Sequence, residues 1–353
     1  MDFALSTEQQ DLADAERSWL VKHDPILARR ESIDDVPAPI PAAARKHVVE
    51  SGLASLLTDE VGATHVDLLV IVEAHGWAGS ALPVAELAIA AAALEAIDDP
   101  HWAEVAAGEQ VAIPVLSPRT DSLAVEVVGG GLRLRGTTAP AAGLADAERI
   151  VLLARTADGT DVAAAIPVAD AGIRMLDTLD LTRSWGVADL DCTVADWAEL
   201  PAGESSRLAD QLATHRAIDA LGAADRLLQM TVDYAGQRTQ FDRPIGSFQA
   251  VKHHLANMAL GVEASRSVLW AAAVALDEED GPDGAGTRAR AVSAAVAYAC
   301  KATSQVAQLA LQVHGGIGFT WEHDVHLLIR RIKVDELLDG SVADHRRRLV
   351  ALS

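Results

Sequence analysis

Two long stripes of apolar residues in the C-terminal half constrain the fold of this chain more than any other feature. Val251, Leu255, Met258, Val262 and Leu269 mark the first; Val292, Val296, Ala299, Thr303, Val306, Ala310 and Val313 mark the second. Their steps are multiples of helical threes and fours, so each stripe occupies one face of a helix on the order of 25 residues or more. A helix with one apolar face must bury it against neighbours, which predicts a bundle. Composition agrees: half of the residues are hydrophobic but only 4% are aromatic, and the alanine that fills the difference favours closely packed helices. The acidic, glycine-bearing stretch Asp277–Gly286 is expected to join the two helices as an exposed loop.

The rest of the chain divides around that bundle. From Ser6 to about Gly108 the pattern is helical, opened by a capping box in which Gln9 follows Ser6 by three residues. Breaks fall at Pro37 to Pro41 and at Pro83. Between Val111 and Pro201 the period shortens to two, in runs such as Leu123–Val128, Leu132–Arg135, Ile150–Ala154 and Val162–Ile166. Gly129–Gly131 lies between two such runs with no helix start after it, so it reads as a hairpin turn and not as a phosphate cradle. The expected fold is mostly α with a central β domain: helices over 1–110, a barrel or sandwich over 111–203, and a four-helix bundle over 204–353.

The formal net charge of −22 argues against nucleic acid as a partner, because phosphates would be repelled. Cys192 and Cys300 lack any CxxC spacing, which fits a reducing compartment and not a disulfide scaffold. The opening residues lack a basic and an apolar region, so no signal peptide is expected and a cytoplasmic location is. No stretch reads as a membrane span. The twelve histidines form no HExxH; His253 and His254 read as surface residues, and no metal site is expected.

Four local features carry a resemblance. RTQFDRPIGSFQAVKHHLANM (238–258) is similar to the R-x-x-F-G-x-x-I-x-x-F/H-Q signature of the flavin-dependent acyl-CoA dehydrogenases, with Asp242 where glycine is usual. LQVHGGIGFT (311–320) resembles that family's Q-x-x-G-G-x-G-[FY]. RRIK (330–333) and DGS (339–341), the latter in place of Glu-Gly-Thr, follow at the family's spacing. The opening MDF-x-L-x-x-EQ is a weaker fifth cue.

The resemblance implies FAD. A buried pyrophosphate needs a cation and open backbone N–H groups; Arg238 can supply the first and Gly315–Gly316 the second. Gln249 and Gln312 can bond adenine or ribose edges. Thr239, Gln240, Phe241, Phe248, Val313, His314 and Ser341 complete the expected cofactor set. In the family the 238–249 and 312–316 residues reach the adenosine and pyrophosphate end of FAD held by a neighbouring subunit, which implies an oligomer. The family's reaction removes the α-proton of an acyl-CoA thioester as hydride leaves the β-carbon. Its carboxylate base corresponds to Asp339, one methylene shorter than the usual glutamate. Asp210 and Gly340 fall at positions near the thioester. Another reading of this segment is purely structural: Ser341 with Asp344 makes a capping box.

The family's T/S-E-P-x-x-G-S-D and W-I-[TS]-N segments, which hold the flavin ring, are missing. The corresponding stretches read SPRTDSLAVE and AAGLADAERI, and Ala213 stands where an arginine is frequent. Trp185 reads as core. Residues that touch a neighbour's FAD are thus kept, while those that hold the ring are lost. The chain therefore resembles the shorter subunit of the paired, α2β2 dehydrogenases of steroid-degrading actinobacteria. A second acyl-CoA dehydrogenase-like chain is the expected partner, with a homo-oligomer as the other arrangement and an electron-transfer flavoprotein as the implied acceptor. An inert structural subunit, or a flavin oxidase of the nitroalkane-oxidizing kind, remain alternative readings.

Overall fold

In the computed structural model, which describes residues 5–31, 33, 39–117, 122–278 and 284–352, helices come first, strands second and helices last. The opening residues of the weak fifth cue, the first two residues of the Pro37–Pro41 break, part of SPRTDSLAVE and the middle of the Asp277–Gly286 stretch lie outside the described residues. The first part holds α1 (Thr7–His23), α2 (Ile26–Glu31), α3 (Ala42–Ser51), α4 (His65–Ala78), α5 (Val84–Ala96) and α6 (Trp102–Ala106). Ser6 caps α1 as expected, its hydroxyl accepting from Gln9 N. Glu16 on α1 bonds His75 of α4 at 2.8 Å and His47 of α3 at 3.0 Å, which latches α1 to the helices behind it.

Among the described residues nine strands follow: β1 (Ala112–Ser117), β2 (Leu123–Val128), β3 (Gly131–Thr137), β4 (Ala141–Ala142), β5 (Arg149–Arg155), β6 (Asp161–Pro167), β7 (Gly172–Met175), β8 (Trp185–Val194) and β9 (Trp197–Glu199). They form two sheets, β1-β5-β6-β9 and β2-β3-β8-β4 with β7 also on β8. Only β1 and β5 pair in parallel among the ladders described. The predicted hairpin joins β2 to β3, with Gly129 and Gly130 at φ of +59° and +87°.

The last part comprises α7 (Glu204–Gln237), a hairpin of β10 (Thr239–Gln240) and β11 (Arg243–Pro244), α8 (Gln249–Asp277), α9 (Gly284–His314), α10 (Val325–Leu338) and α11 (Val342–Ala351). The two stripes face inward: Met258, Val262 and Leu269, and Val292, Ala299 and Ala310, are wholly buried. Helix α4 is apolar all round because it is covered all round, packing between α1 and α7. Its crossing with α7 is close enough that a Cβ on Gly76 would sit 2.1 Å from Asp219 O, and one on Gly222 2.1 Å from Glu73 O. The helical, β and bundle regions are the architecture expected of this sequence. Helix α8, though, is long and apolar enough by composition to cross a membrane, with a window of mean hydropathy 1.3 that is only 33% buried.

Candidate functional site

The residues singled out by sequence fall into two places. The first is the end of the bundle where α7 and α9 finish together, tied by Tyr234 stacked on His314 at 4.6 Å between ring centroids. Arg238 ends α7 as its cap residue and is exposed, with no acidic partner among the described residues. Thr239 and Gln240 pair with Pro244 and Arg243 across the hairpin. Its two turn residues, Phe241 and Asp242, have φ of +50° and +63°. That left-handed geometry is costly for side chains other than glycine, and here it holds Phe241 86% exposed. Phe248 meets Phe241 edge-on and takes the Arg243 guanidinium on its face at 4.1 Å.

Gln249 opens α8 and Gln312 lies in the last turn of α9, both exposed. Val313 is half-buried. His314 is buried, its Nδ1 2.8 Å from Ala310 O and its ring stacked on Tyr234, while its Nε2 has no hydrogen-bond partner among the described residues. Burial holds it below the usual imidazole range. Gly315 has φ of +64°, which explains its own identity; a Cβ on it or on Gly316 would meet nothing within 4 Å. Among the described residues, no packing or conformational need accounts for glycine at 316. The exposed guanidinium, the amides and the open glycine backbone are the donor set a nucleotide pyrophosphate takes, so these residues fit the tail of FAD.

The second place is a cavity of about 610 Å³ between the β domain and the bundle. Pro114 and Ser117 of β1, Pro140 and Ala141 at β4, Leu212 and Arg216 of α7, and Asp339, Gly340 and Ser341 line it. Asp339 caps α10, and Ser341 caps α11 with its hydroxyl committed to Asp344. Arg216 Nη1 lies 3.2 Å from Asp339 Oδ2, while its Nη2 donates to Glu86 at 3.1 Å. Burial pushes Asp339 above the ordinary carboxylate range; Arg216 opposes this and Glu86 adds to it. The β-side lining is proline, alanine, serine and Leu116, with Trp185 withdrawn to 2% exposure beneath Arg183 and Arg216. An isoalloxazine ring seeking aromatic stacking and amide donors does not find them among these side chains.

Asp210, expected beside a thioester, does not line this cavity. It is 1% exposed and accepts from Arg288 at 3.3 Å and from Arg348 at 3.1 Å, joining α7 to α9 and α11. Sequence reading also missed a buried ionic network below the cavity. Arg331 grips Asp219 with two bonds of 2.6 Å and reaches Ser80 O and Thr182. Arg183 bonds Asp180 and Asp335, each at 2.7 Å. Burial keeps Asp335 well above the usual range. Arg331 lay within a recognised motif, but its partner is 112 positions away, and no local pattern announces such a pair.

The comparisons with known proteins divide along the same line. The acyl-CoA dehydrogenase C-terminal domain matches residues 209–351. An acyl-CoA dehydrogenase of Mycolicibacterium smegmatis, IpdE2, is 38% identical over 176 residues, which is 49% of this chain and 50% of that protein. FadE34 of Mycobacterium tuberculosis is 40% identical over 148 residues, 42% of this chain and 20% of that one. These matches thus span half or less of the relatives' own length. The ChsE4-ChsE5 complex of Mycobacterium tuberculosis contains a chain that superposes with a TM-score of 0.90 at 26% identity, covering 99% of this chain and 98% of that one. Residues 209–351 thus match an acyl-CoA dehydrogenase C-terminal domain, and along its whole length the chain has the fold of a chain of the ChsE4-ChsE5 complex.

Proposed function

We propose that this chain is one subunit of an FAD-dependent acyl-CoA dehydrogenase and supplies the adenosine and pyrophosphate end of the flavin site to a neighbouring, non-identical chain. The observation that carries this reading is the exposed motif face: Arg238 without a counter-ion among the described residues, and Gly316 with open space above it. The solved relative of similar fold is itself a complex of two named chains. FAD, when bound, accepts the hydride of α,β-dehydrogenation of an acyl-CoA thioester. Arg238 would neutralise the pyrophosphate, the glycine backbone would donate to it, and Gln249 and Gln312 would orient the adenosine. Electrons would pass on to an electron-transfer flavoprotein.

A second reading concerns Asp339. As a base it would have to face substrate with a carboxylate free to move, yet Arg216 pairs with it at 3.2 Å while also bonding Glu86. That contact favours a role as counter-ion, with the proton-abstracting carboxylate supplied by the partner. The test is Arg238→Ala in the assembled enzyme. Loss of a charge-assisted bond of about 1.5–3 kcal/mol predicts FAD affinity falling tenfold or more at unchanged helicity. Full flavin retention would refute the reading.

A further inference from the structure

Two buried histidines, His65 at the start of α4 and His215 within α7, share a single hydrogen bond. They are 5% and 0% exposed, and His65 Nδ1 lies 2.9 Å from His215 Nε2. Burial pushes His65 down to about 4, with the charge of Arg207 adding to it. Burial likewise holds His215 well below the usual imidazole range, with His65 adding to it. Both rings are therefore neutral near neutral pH, each with one N–H and one bare nitrogen. The shared bond uses one nitrogen of each ring. His215 Nδ1 is left over, buried and without a partner among the described residues. A buried polar atom is costly to leave unbonded.

His215 lines a cavity of about 20 Å³ that Glu86, Arg183, Arg216 and Asp219 line as well. Arg216 brings a second partnerless atom. Its two Nη groups go to Asp339 and Glu86, but its buried Nε has no partner among the described residues. One water needs roughly 10–15 Å³, so the cavity takes one and no larger guest. Its two arginines match its two carboxylates, and no net charge calls for an ion. A metal cation or ammonium cannot accept from Arg216 Nε, and the Glu86 carboxylate repels a halide. We propose that this cavity is the site of one buried water that accepts from Arg216 Nε, donates to Glu86 and bonds His215 Nδ1, joining the histidine pair to the Glu86–Arg216–Asp339 bridge as a proton relay. Three bonds are the usual complement of a buried water. A proton on Glu86 passes to the water as the water gives one of its own to His215 Nδ1. His215 then yields its Nε2 proton to His65 Nδ1, and His65 releases its own from Nε2 at the start of α4. One proton moves and no other bond changes. The relay gives two buried acids that share one guanidinium a proton route through the helices, and it is independent of the two-chain reading.

A high-resolution crystal structure of the full chain tests the site. One water peak is expected within roughly 2.6–3.2 Å of both His215 Nδ1 and Arg216 Nε; a dry or collapsed cavity would overturn the proposal. The relay is tested in solution with ring-¹⁵N-labelled histidine, by the rate at which the His215 ring N–H exchanges with solvent. His65→Leu removes the outlet, and His65→Asn removes it while keeping a polar group, should the leucine variant fold poorly. Neither touches the cavity lining. Each folded variant is expected to keep the water and to slow that exchange by about tenfold or more. Exchange at the wild-type rate in a variant that keeps its water would overturn the relay, because a merely structural histidine pair predicts that result.

Discussion

Arg216 places one guanidinium between two carboxylates, Glu86 at 3.1 Å and Asp339 at 3.2 Å, over the ring of Trp185. Removing it would leave two buried acids facing each other. Arg216→Met is therefore expected to cost about 3–5 kcal/mol in urea unfolding, and adding Asp339→Asn should return part of that cost, because the two residues share one interaction. Additive losses would show that the bridge is absent in solution. The same bridge predicts that Asp339→Asn in the assembled enzyme leaves kcat within about twofold, whereas loss of a working base costs roughly a hundredfold or more. The DGS motif was legible in the sequence, and so was its capping role. That Asp339 would be bound by an arginine from mid-α7 was not, because Ala213 had drawn attention to the wrong turn of that helix.

At the level of elements, local chemistry was the most readable. Both capping boxes, the β2–β3 hairpin and the stripes of α8 and α9 rest on residues within a few positions of one another, so the sequence displays them whole. Contacts between elements were hidden. Asp210 read as a site residue but fastens α7 to α9 and α11, and nothing near it in sequence names Arg288 or Arg348. The α4–α7 crossing is another case: Gly222→Ala would set a methyl against Glu73 O and should cost about 3 kcal/mol of thermal stability, unlike the same change at the open Gly316. The α1 latch has a pH signature. Burial alone would raise Glu16, but its bonds to His47 and His75 bring it down to about 2 from 4.5. A depressed acid stabilises above its unfolded pKa and loses that contribution as pH falls through the folded one. Glu16→Gln should thus cost about 2–3 kcal/mol at pH 6, and the difference from wild type should shrink steadily as pH falls from about 4.5 toward 2. A difference that does not change with pH would mean the latch is packing and not charge.

For the whole molecule, the three-part architecture followed from pattern alone, while the division of labour came from comparing two faces of one fold. The bundle keeps an exposed cation, amides and open glycines where a nucleotide tail fits. The cavity over the β domain offers proline, alanine and a bridged aspartate where a flavin ring would need more. The proposal that the flavin is shared between unlike chains accounts for both faces. The most direct test is flavin content, measured as absorbance per chain after gel filtration, for this protein alone, with its partner, and with its partner after Arg238→Ala here. The account predicts a colourless lone chain, a yellow complex, and loss of most of that colour in the variant. A lone chain that carries stoichiometric FAD would contradict it.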